Sequence, residues 1–65
     1  MSDLGKVENL TYKLYKGSIK YSDIDEVWYG KVLEINDVVS YEGATIIDLE
    51  KDFQIAVDDY ILDKS

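Results

Sequence analysis

The catalytic potential of this 65-residue chain lies in its carboxylates, because it contains fourteen Asp and Glu residues but no Cys and no His. Without a thiol or an imidazole, it lacks the commonest nucleophile, general base and zinc ligands. Two carboxylates can share acid–base work when they face each other across a cleft, as in glycosidases. A domain of this size is not expected to enclose such a cleft. We therefore predict a non-enzymatic protein with no metal and no cofactor.

Two closely spaced carboxylate pairs could serve in binding instead. Asp23-Ile24-Asp25 begins like a calcium loop, but the Gly and the bidentate Glu that such a loop requires are not at the necessary positions. Asp58-Asp59 falls late on a predicted helix, where negative charge opposes the helix dipole. That pair either contacts a cation or a basic partner, or it belongs to a solvated face, which is the commoner role of charged runs.

The charge balance argues against nucleic acid as a direct partner. The net charge is −7, from fourteen carboxylates and seven Lys. Binding to phosphates requires clustered cations, whereas the densest basic group, Lys13, Lys16 and Lys20, is followed at once by acidic residues. An acidic surface speeds the encounter with a basic partner, although acidity also serves solubility alone.

The size of the chain favours association. Sixty-five residues make one domain near the lower limit for independent folding. Small domains usually depend on disulfides, a metal or a partner, and the composition excludes the first two. We expect a homo-oligomer or a protein partner. No apolar run is long enough to cross a bilayer and the first residues lack a signal-peptide pattern, so we predict a cytoplasmic protein that does not contact membranes.

The chain divides into a flexible arm over residues 1–10 and a single domain over residues 11–65. Within the domain, aromatic and β-branched residues alternate with polar ones over three segments, which predicts strands. A polar loop at 22–26 and a tight turn at Asn36-Asp37 separate these segments. The predicted strands span residues 11–22, 27–35 and 38–42.

A helix is predicted over residues 46–62. Thr45 fits the N-cap position and Asp48 the third helical position of a capping box. Apolar residues then recur at helical spacing and form one stripe, which should pack on the sheet. The stripe consists of Ile46, Leu49, Phe53, Ala56, Val57 and Tyr60. These elements give an α+β fold of the order β-β-β-α, a three-stranded antiparallel meander covered by one helix.

Three glycines have structural rather than phosphate-binding roles in this interpretation, since none lies in a glycine-rich fingerprint. Gly17 and Gly30 interrupt predicted strands, which indicates a bulge or the close approach of another element. Gly43 lets the chain pass from the third strand to the helix.

The segments YGKVLEIND, VSYEG and AVDDY are together similar to the HicB-like antitoxin family. The matching residues are Tyr29–Leu33, Ile35–Asp37, Val39–Gly43 and Ala56–Tyr60. The resemblance implies a partial ribonuclease H-like fold of three or four strands with one or two helices, without nuclease carboxylates. It also implies a partner, a small basic toxin of the HicA type that cleaves messenger RNA. Because the chain ends at Ser65, we expect a short form without the fourth strand or the C-terminal DNA-binding segment of many members.

Two hypotheses follow. In the first, the chain is an antitoxin or binding protein that masks a basic toxin through an acidic surface on its hairpin and third strand. The candidate residues for that surface are Asp23, Asp25, Glu26, Glu34, Asp37 and Glu42. In the second, it is an orphan homologue that associates with itself through sheet edges or through Ile55 and Leu62. These two residues lie seven apart on the helix face opposite the stripe, although exposed apolar residues also occur singly without a role.

Overall fold

The computed structural model describes residues 9–64, which form a small α+β protein of five short strands followed by a helix. The strands form two antiparallel sheets, β1-β2 and β3-β4-β5. The elements are β1 (Asn9–Tyr12), β2 (Tyr15–Ser18), β3 (Lys20–Ser22), β4 (Val27–Lys31), β5 (Ser40–Gly43) and α1 (Ile46–Lys64). The predicted α+β class is confirmed, and the β3-β4-β5 sheet is a three-stranded antiparallel meander. The β1-β2 hairpin was not part of the sequence prediction.

The first hairpin lies inside the segment that was predicted as one strand over residues 11–22. Tyr12 pairs with Tyr15, so the chain reverses over Lys13 and Leu14. Lys13 has a φ of 57°, the left-handed conformation that two-residue hairpin turns require. The prediction of a continuous strand was wrong here because Lys-Leu is not a typical turn sequence.

Part of the predicted N-terminal arm belongs to this hairpin. Residues 1–8 lie outside the described residues, whereas Asn9 and Leu10 are the first two residues of β1. Leu10 is 5% exposed and joins the core. The strand therefore begins two residues earlier than the predicted domain boundary at residue 11, because Leu10 has apolar neighbours to pack against.

β2 and β3 pair successively with the same partner segment. Gly17 opposes Val32, and Lys20 opposes Tyr29, so the register does not change between them. The N–H of Leu33 also donates to the carbonyl oxygen of Lys16 at 2.8 Å. The predicted pairing of the first segment with the second is therefore present, with an interruption at Ser18 and Ile19. The turn over residues 23–26 confirms the predicted polar loop, except that Ser22 belongs to β3.

The connection between β4 and β5 is longer than predicted. β4 ends at Lys31, and the N–H of Val32 donates to the Val39 carbonyl oxygen at 2.8 Å, which closes a loop over the intervening residues. Glu34 has a φ of 61° in this loop. The predictions of a strand up to residue 35, a tight turn at Asn36-Asp37 and a third strand from residue 38 were therefore wrong in their bounds. β4 ends earlier than predicted because the chain already bends at Glu34, before Asn36-Asp37.

The helix starts where the capping residues predict. The N–H of Asp48 donates to Thr45 Oγ1 at 3.1 Å, and Leu49 N–H donates to the Thr45 carbonyl oxygen at 2.9 Å. The first bond satisfies a donor that the first helical turn otherwise leaves open, and the second is the first regular backbone bond of the helix. α1 continues to Lys64, two residues beyond the predicted end.

The core lies between α1 and the sheets. Leu49, Phe53 and Val57 of the predicted helical stripe have no exposed surface. Ile46, Ala56 and Tyr60 of the same stripe are half-buried. Three side chains of the strand region complete the buried set: Leu10, Val32 and Tyr41. The rings of Tyr41 and Phe53 lie 5.0 Å apart between centroids and join β5 to the helix.

Tyr41 also fills the space left by two glycines. A Cβ on Gly17 would overlap the Tyr41 hydroxyl and come within 2.8 Å of the Phe53 ring. A Cβ on Gly30, the cross-strand neighbour of Tyr41, would overlap the carbonyl oxygen of Ser18. The predicted close approach at both glycines is therefore confirmed. At Gly43 a Cβ would overlap the backbone at the start of α1, so the transition from strand to helix requires glycine.

The interruption in the ladder is bridged by side chains. The N–H of Lys31 donates to Ser18 Oγ at 3.0 Å instead of to a backbone carbonyl. The Tyr41 hydroxyl donates to the Ser18 carbonyl oxygen at 2.9 Å, and the Lys31 carbonyl oxygen lies 3.2 Å from the same hydroxyl. Burial raises the pKa of Tyr41 to about 12, because the charged phenolate would be desolvated there.

Candidate partner-binding surface

One face of the β3-β4-β5 sheet points away from the helix. Tyr41 packs against Phe53 of α1, so residues that alternate with Tyr41 along the strands project from the other face. Tyr29 stands in the middle of that outer face and is 41% exposed. The outer face carries Lys20, Ser22, Val27, Tyr29, Lys31, Ser40 and Glu42.

A groove beside Tyr29 is lined by three carboxylates from three different elements: Asp25, Glu42 and Asp52. The turn after β3 places Asp25, whose N–H donates to Ser22 Oγ at 3.2 Å. β5 places Glu42 directly opposite Tyr29. The helix supplies Asp52, and its Oδ2 accepts the N–H of Glu42 at 3.0 Å. No Lys lines this groove among the described residues, so its charge is suited to contact with the cationic side chains of a partner.

The six acidic residues proposed from the sequence fall into two groups. Asp23, Asp25 and Glu26 lie on the turn before β4, and Glu42 lies near that end of the sheet because β5 runs antiparallel to β4. Glu34 and Asp37 lie in the loop that follows β4, at the opposite end. All six are exposed. The structure thus brings four of them towards one end of the sheet and separates the other two.

Asp37 already has a cationic partner within the chain. Its Oδ2 lies 3.3 Å from Lys64 Nζ, near the end of α1. The hydrogen bond and the charge of Asp37 raise the pKa of Lys64. This contact links the loop after β4 to the helix, and an external cation would have to compete with Lys64 for Asp37.

Asp58 likewise contacts a cation of the same chain. Its Oδ1 lies 3.0 Å from Lys13 Nζ, and its Oδ2 accepts the Tyr12 hydroxyl at 3.1 Å. The hydrogen bond from Lys13 holds the pKa of Asp58 below its usual value. Asp58 therefore contacts a cation, which is one of the two roles left open for the Asp58-Asp59 pair, and that cation belongs to the same chain. The contact ties the β1-β2 turn to the helix. Asp59 is exposed.

Ile55 and Leu62 project from the helix away from the core, as predicted. Their side chains are 59% and 73% exposed. Leu62 borders a shallow groove with Val38 and Ala56 next to the start of β5, whereas Ile55 does not line it. Because they are seven residues apart, the two residues lie on one side of the helix. Of the two, only Leu62 borders the groove beside the sheet.

Asp52 and Tyr29 are the surface residues that sequence reasoning did not select. Tyr29 was placed on the second strand, but an aromatic residue on a strand does not indicate which face is covered. Asp52 is one position from Phe53 of the buried stripe, which puts it at the border of the packed face. Its contact with β5 depends on how the helix is rotated over the sheet, and spacing along the chain does not define this rotation.

Comparison with known proteins found no matching family model, no similar curated protein and no similar solved structure. Among residues 9–64, the one helix is too polar to be a candidate for crossing a membrane.

Proposed function

We propose that this chain is a non-enzymatic, HicB-like binding protein that masks a small basic toxin of the HicA type, which cleaves messenger RNA. The observation that carries the proposal is the groove formed by Asp25, Glu42 and Asp52. Its carboxylates come from a turn, a strand and a helix, so a folded domain is needed to bring them together. Asp23 and Glu26 extend the same acidic end of the sheet.

The resemblance to HicB-like antitoxins supplies the identity of the partner. Several residues that carry the resemblance are also those that hold the sheet together, including Gly30, Tyr41 and Gly43. A shared pattern that includes such packing residues supports a partial ribonuclease H-like fold of the HicB type. Masking then requires only that the acidic end attract and cover a cationic RNA-binding surface.

The test is binding to a small basic His-containing toxin of the HicA type, sought first in the gene beside this one and measured as an association rate over a range of salt concentrations. The variant Asp25→Lys/Glu26→Lys/Glu42→Lys reverses three charges at the acidic end. We expect its association to be at least about tenfold slower and less dependent on salt, because electrostatic steering acts mainly on the association rate. The wild type should inhibit the ribonuclease activity of the partner, and this variant should inhibit it less.

The matched control changes the net charge equally at a distance from the groove. Glu50→Lys/Asp59→Lys/Asp63→Lys reverses three carboxylates that lie on α1 and do not line the groove. The association rate of this control variant should be closer to that of the wild type than the rate of the groove variant is. Equal effects of the two variants would assign the attraction to net charge alone, and an unchanged rate in the first variant would contradict the proposed surface.

The alternative is an orphan HicB-like homologue that acts by self-association without a toxin. The exposed side chains of Ile55 and Leu62 favour it. One edge of the larger sheet is partly occupied, because Asp52 accepts the outward N–H of Glu42 on β5. If Ile55→Lys/Leu62→Lys yields monomers from an oligomer, the helix face is the contact; an unaltered oligomer would exclude it.

A further inference from the structure

Tyr29 separates two oppositely charged halves of the outer sheet face. On one side lies the groove with Asp25 and Glu42. On the other side a second groove is lined by Lys20 and Lys31 together with Val38, which is 88% exposed. Tyr29 and Ser40 line both grooves and so mark the boundary between the halves.

The strand register gives the layout of these charges. Lys20 on β3 and Glu42 on β5 lie directly to either side of Tyr29 on β4. Lys31 follows Tyr29 by two residues towards the loop after β4, and Asp25 lies at the opposite end, on the turn before β4. The two cations and the two carboxylates are thus separated by a line that runs diagonally across the strands through Tyr29.

From this layout we infer that the outer sheet face binds a second copy of this chain, with Tyr29 on the two-fold axis. An axis that lies in the plane of the face, along that diagonal, sets Lys20 of one copy opposite Asp25 of the other. The same operation sets Lys31 opposite Glu42. A two-fold interface repeats every contact, so two kinds of ion pair become four. The tyrosine rings of the two copies meet at the centre, where aromatic residues contribute most to an interface.

The charge pattern favours a second copy over other occupants. A basic partner is attracted by the acidic half of the face but repelled by Lys20 and Lys31. An acidic partner meets the opposite conflict at Asp25 and Glu42. A second copy offers both signs in the matching arrangement, which satisfies the whole face. This inference goes beyond the proposed function. The dimer shares Asp25 and Glu42 with the proposed partner-binding surface, so dimer formation and partner binding compete for that face. It depends in addition on Lys20 and Lys31, which are not part of the proposed surface.

The experiment measures the mass of the purified chain in solution by light scattering and sedimentation over a range of concentrations. We expect the wild type to reach twice the 7.5 kDa of the chain. The variants Lys20→Glu/Lys31→Glu and Asp25→Lys/Glu42→Lys each place like charges opposite one another in the dimer. Each should raise the dissociation constant at least about tenfold while circular dichroism shows an unchanged fold.

Mixing the two variants provides the decisive measurement. One variant then presents carboxylates in both halves and the other presents lysines in both, so an equimolar mixture should form the mixed dimer. The control pair, Glu50→Lys and Lys51→Glu on α1, should leave the wild-type dimer unchanged. Tyr29→Ala offers an independent variant without a charge change, and it should also weaken the dimer.

Several outcomes would overturn the inference. They are a wild type that remains monomeric at every concentration, variants that still form homodimers, or a mixture that does not associate. A wild-type dimer that is equally strong at about 1 M salt, where the screening length falls to about 3 Å, would exclude ion pairs as its basis. If Lys20→Glu/Lys31→Glu stays dimeric but binds the basic partner normally, only this inference fails. If it becomes monomeric and the partner does not bind, only the proposed function fails.

Discussion

The hydroxyl of Tyr41 and the carbonyl oxygen of Ser18 lie 2.9 Å apart, at the interruption between β2 and β3. Backbone pairing with the neighbouring strand stops there, and the Lys31 N–H turns to Ser18 Oγ. A buried side chain of β5 therefore supplies the donor that a continuous ladder would have supplied. The contact is made possible by Gly17 and Gly30, which leave room for the tyrosine ring.

Removal of this hydroxyl tests its contribution directly. Tyr41→Phe keeps the ring on Phe53 but leaves the Ser18 carbonyl oxygen without its donor. We expect the free energy of unfolding to fall by about 1–2 kcal/mol, the usual loss for a partly buried hydrogen bond. Urea denaturation measures it, with Tyr21→Phe as the control because Tyr21 is 46% exposed and lies outside the inferred dimer face. Equal stability of the two variants would show that the Tyr41 hydroxyl adds nothing.

The same hydroxyl predicts a loss of stability in alkali. Burial raises the pKa of Tyr41 from 10.0 to about 12 in the folded protein. Because the folded-state pKa exceeds the unfolded one, the stabilisation is complete below about pH 10 and is lost as the pH rises towards 12. The loss should be on the order of 2 kcal/mol.

Urea midpoints at several pH values measure this alkaline loss. The other tyrosines contribute their own pH dependence, so the Tyr41→Phe variant is the reference. The difference between the two proteins should shrink over this pH range. A constant difference would mean that Tyr41 ionises equally in both states.

The space at Gly17 should be coupled to the Tyr41 hydroxyl. Gly17→Ala places a Cβ against that hydroxyl and near the Phe53 ring, so we expect a loss of about 2–3 kcal/mol in the wild type. In a Tyr41→Phe background the overlapping oxygen is gone, and the loss should be smaller by about 1 kcal/mol. A double-mutant cycle in urea gives the coupling, and strictly additive losses would refute it.

Asp58 and Asp59 are adjacent carboxylates for which we expect different effects. Asp58→Ala removes the contacts with Lys13 and Tyr12, while Asp59→Ala removes an exposed charge near the negative end of the helix dipole. Asp58→Ala should lower the melting temperature slightly, since exposed ion pairs contribute little. Asp59→Ala should leave it unchanged or raise it.

The pH dependence of the Asp58 contact has a definite sign. Because the pKa of Asp58 is lowered in the folded state, its contribution is present above the ordinary value of 3.8 and is lost as the pH falls below it. Thermal unfolding at neutral and acid pH measures the effect. The wild type and Asp58→Ala should become equal in acid, and a gap that persists there would assign the contact a role independent of charge.

The helix was predictable because its signals are local. Thr45 caps the first turn and the spacing of Leu49, Phe53 and Val57 defines the buried side. The β1-β2 hairpin was not predictable, because Lys13 adopts a left-handed conformation that its residue type does not favour. Tertiary packing of Leu10 and the Tyr12–Asp58 contact stabilise that turn, and both join residues far apart in sequence.

The acidic groove was only partly predictable for a related reason. Asp25 and Glu42 could be assigned to a turn and a strand, but their common groove results from the antiparallel pairing of β4 with β5. Asp52 enters it because the helix packs with that side against β5. Glu34 and Asp37 resemble the others in sequence, yet the longer loop after β4 places them at the opposite end of the sheet.

The stability of the domain should depend strongly on Phe53. Its ring has no exposed surface and joins the helix to Tyr41 and to the space beside Gly17. Truncation to Ala typically costs about 3–5 kcal/mol. A core of this size rarely supplies more than roughly that amount in total. Phe53→Ala should therefore be largely unfolded at room temperature, with loss of the helical circular dichroism signal.

Ile47→Ala is the matched control for that change, because Ile47 lies on the same helix and is 64% exposed. Its removal should alter the free energy of unfolding by less than about 1 kcal/mol. If Phe53→Ala remains folded as a monomer, the six-residue core is not the main source of stability. If it is folded only at high protein concentration, self-association supplies the missing free energy, because binding that favours the folded state stabilises it by mass action.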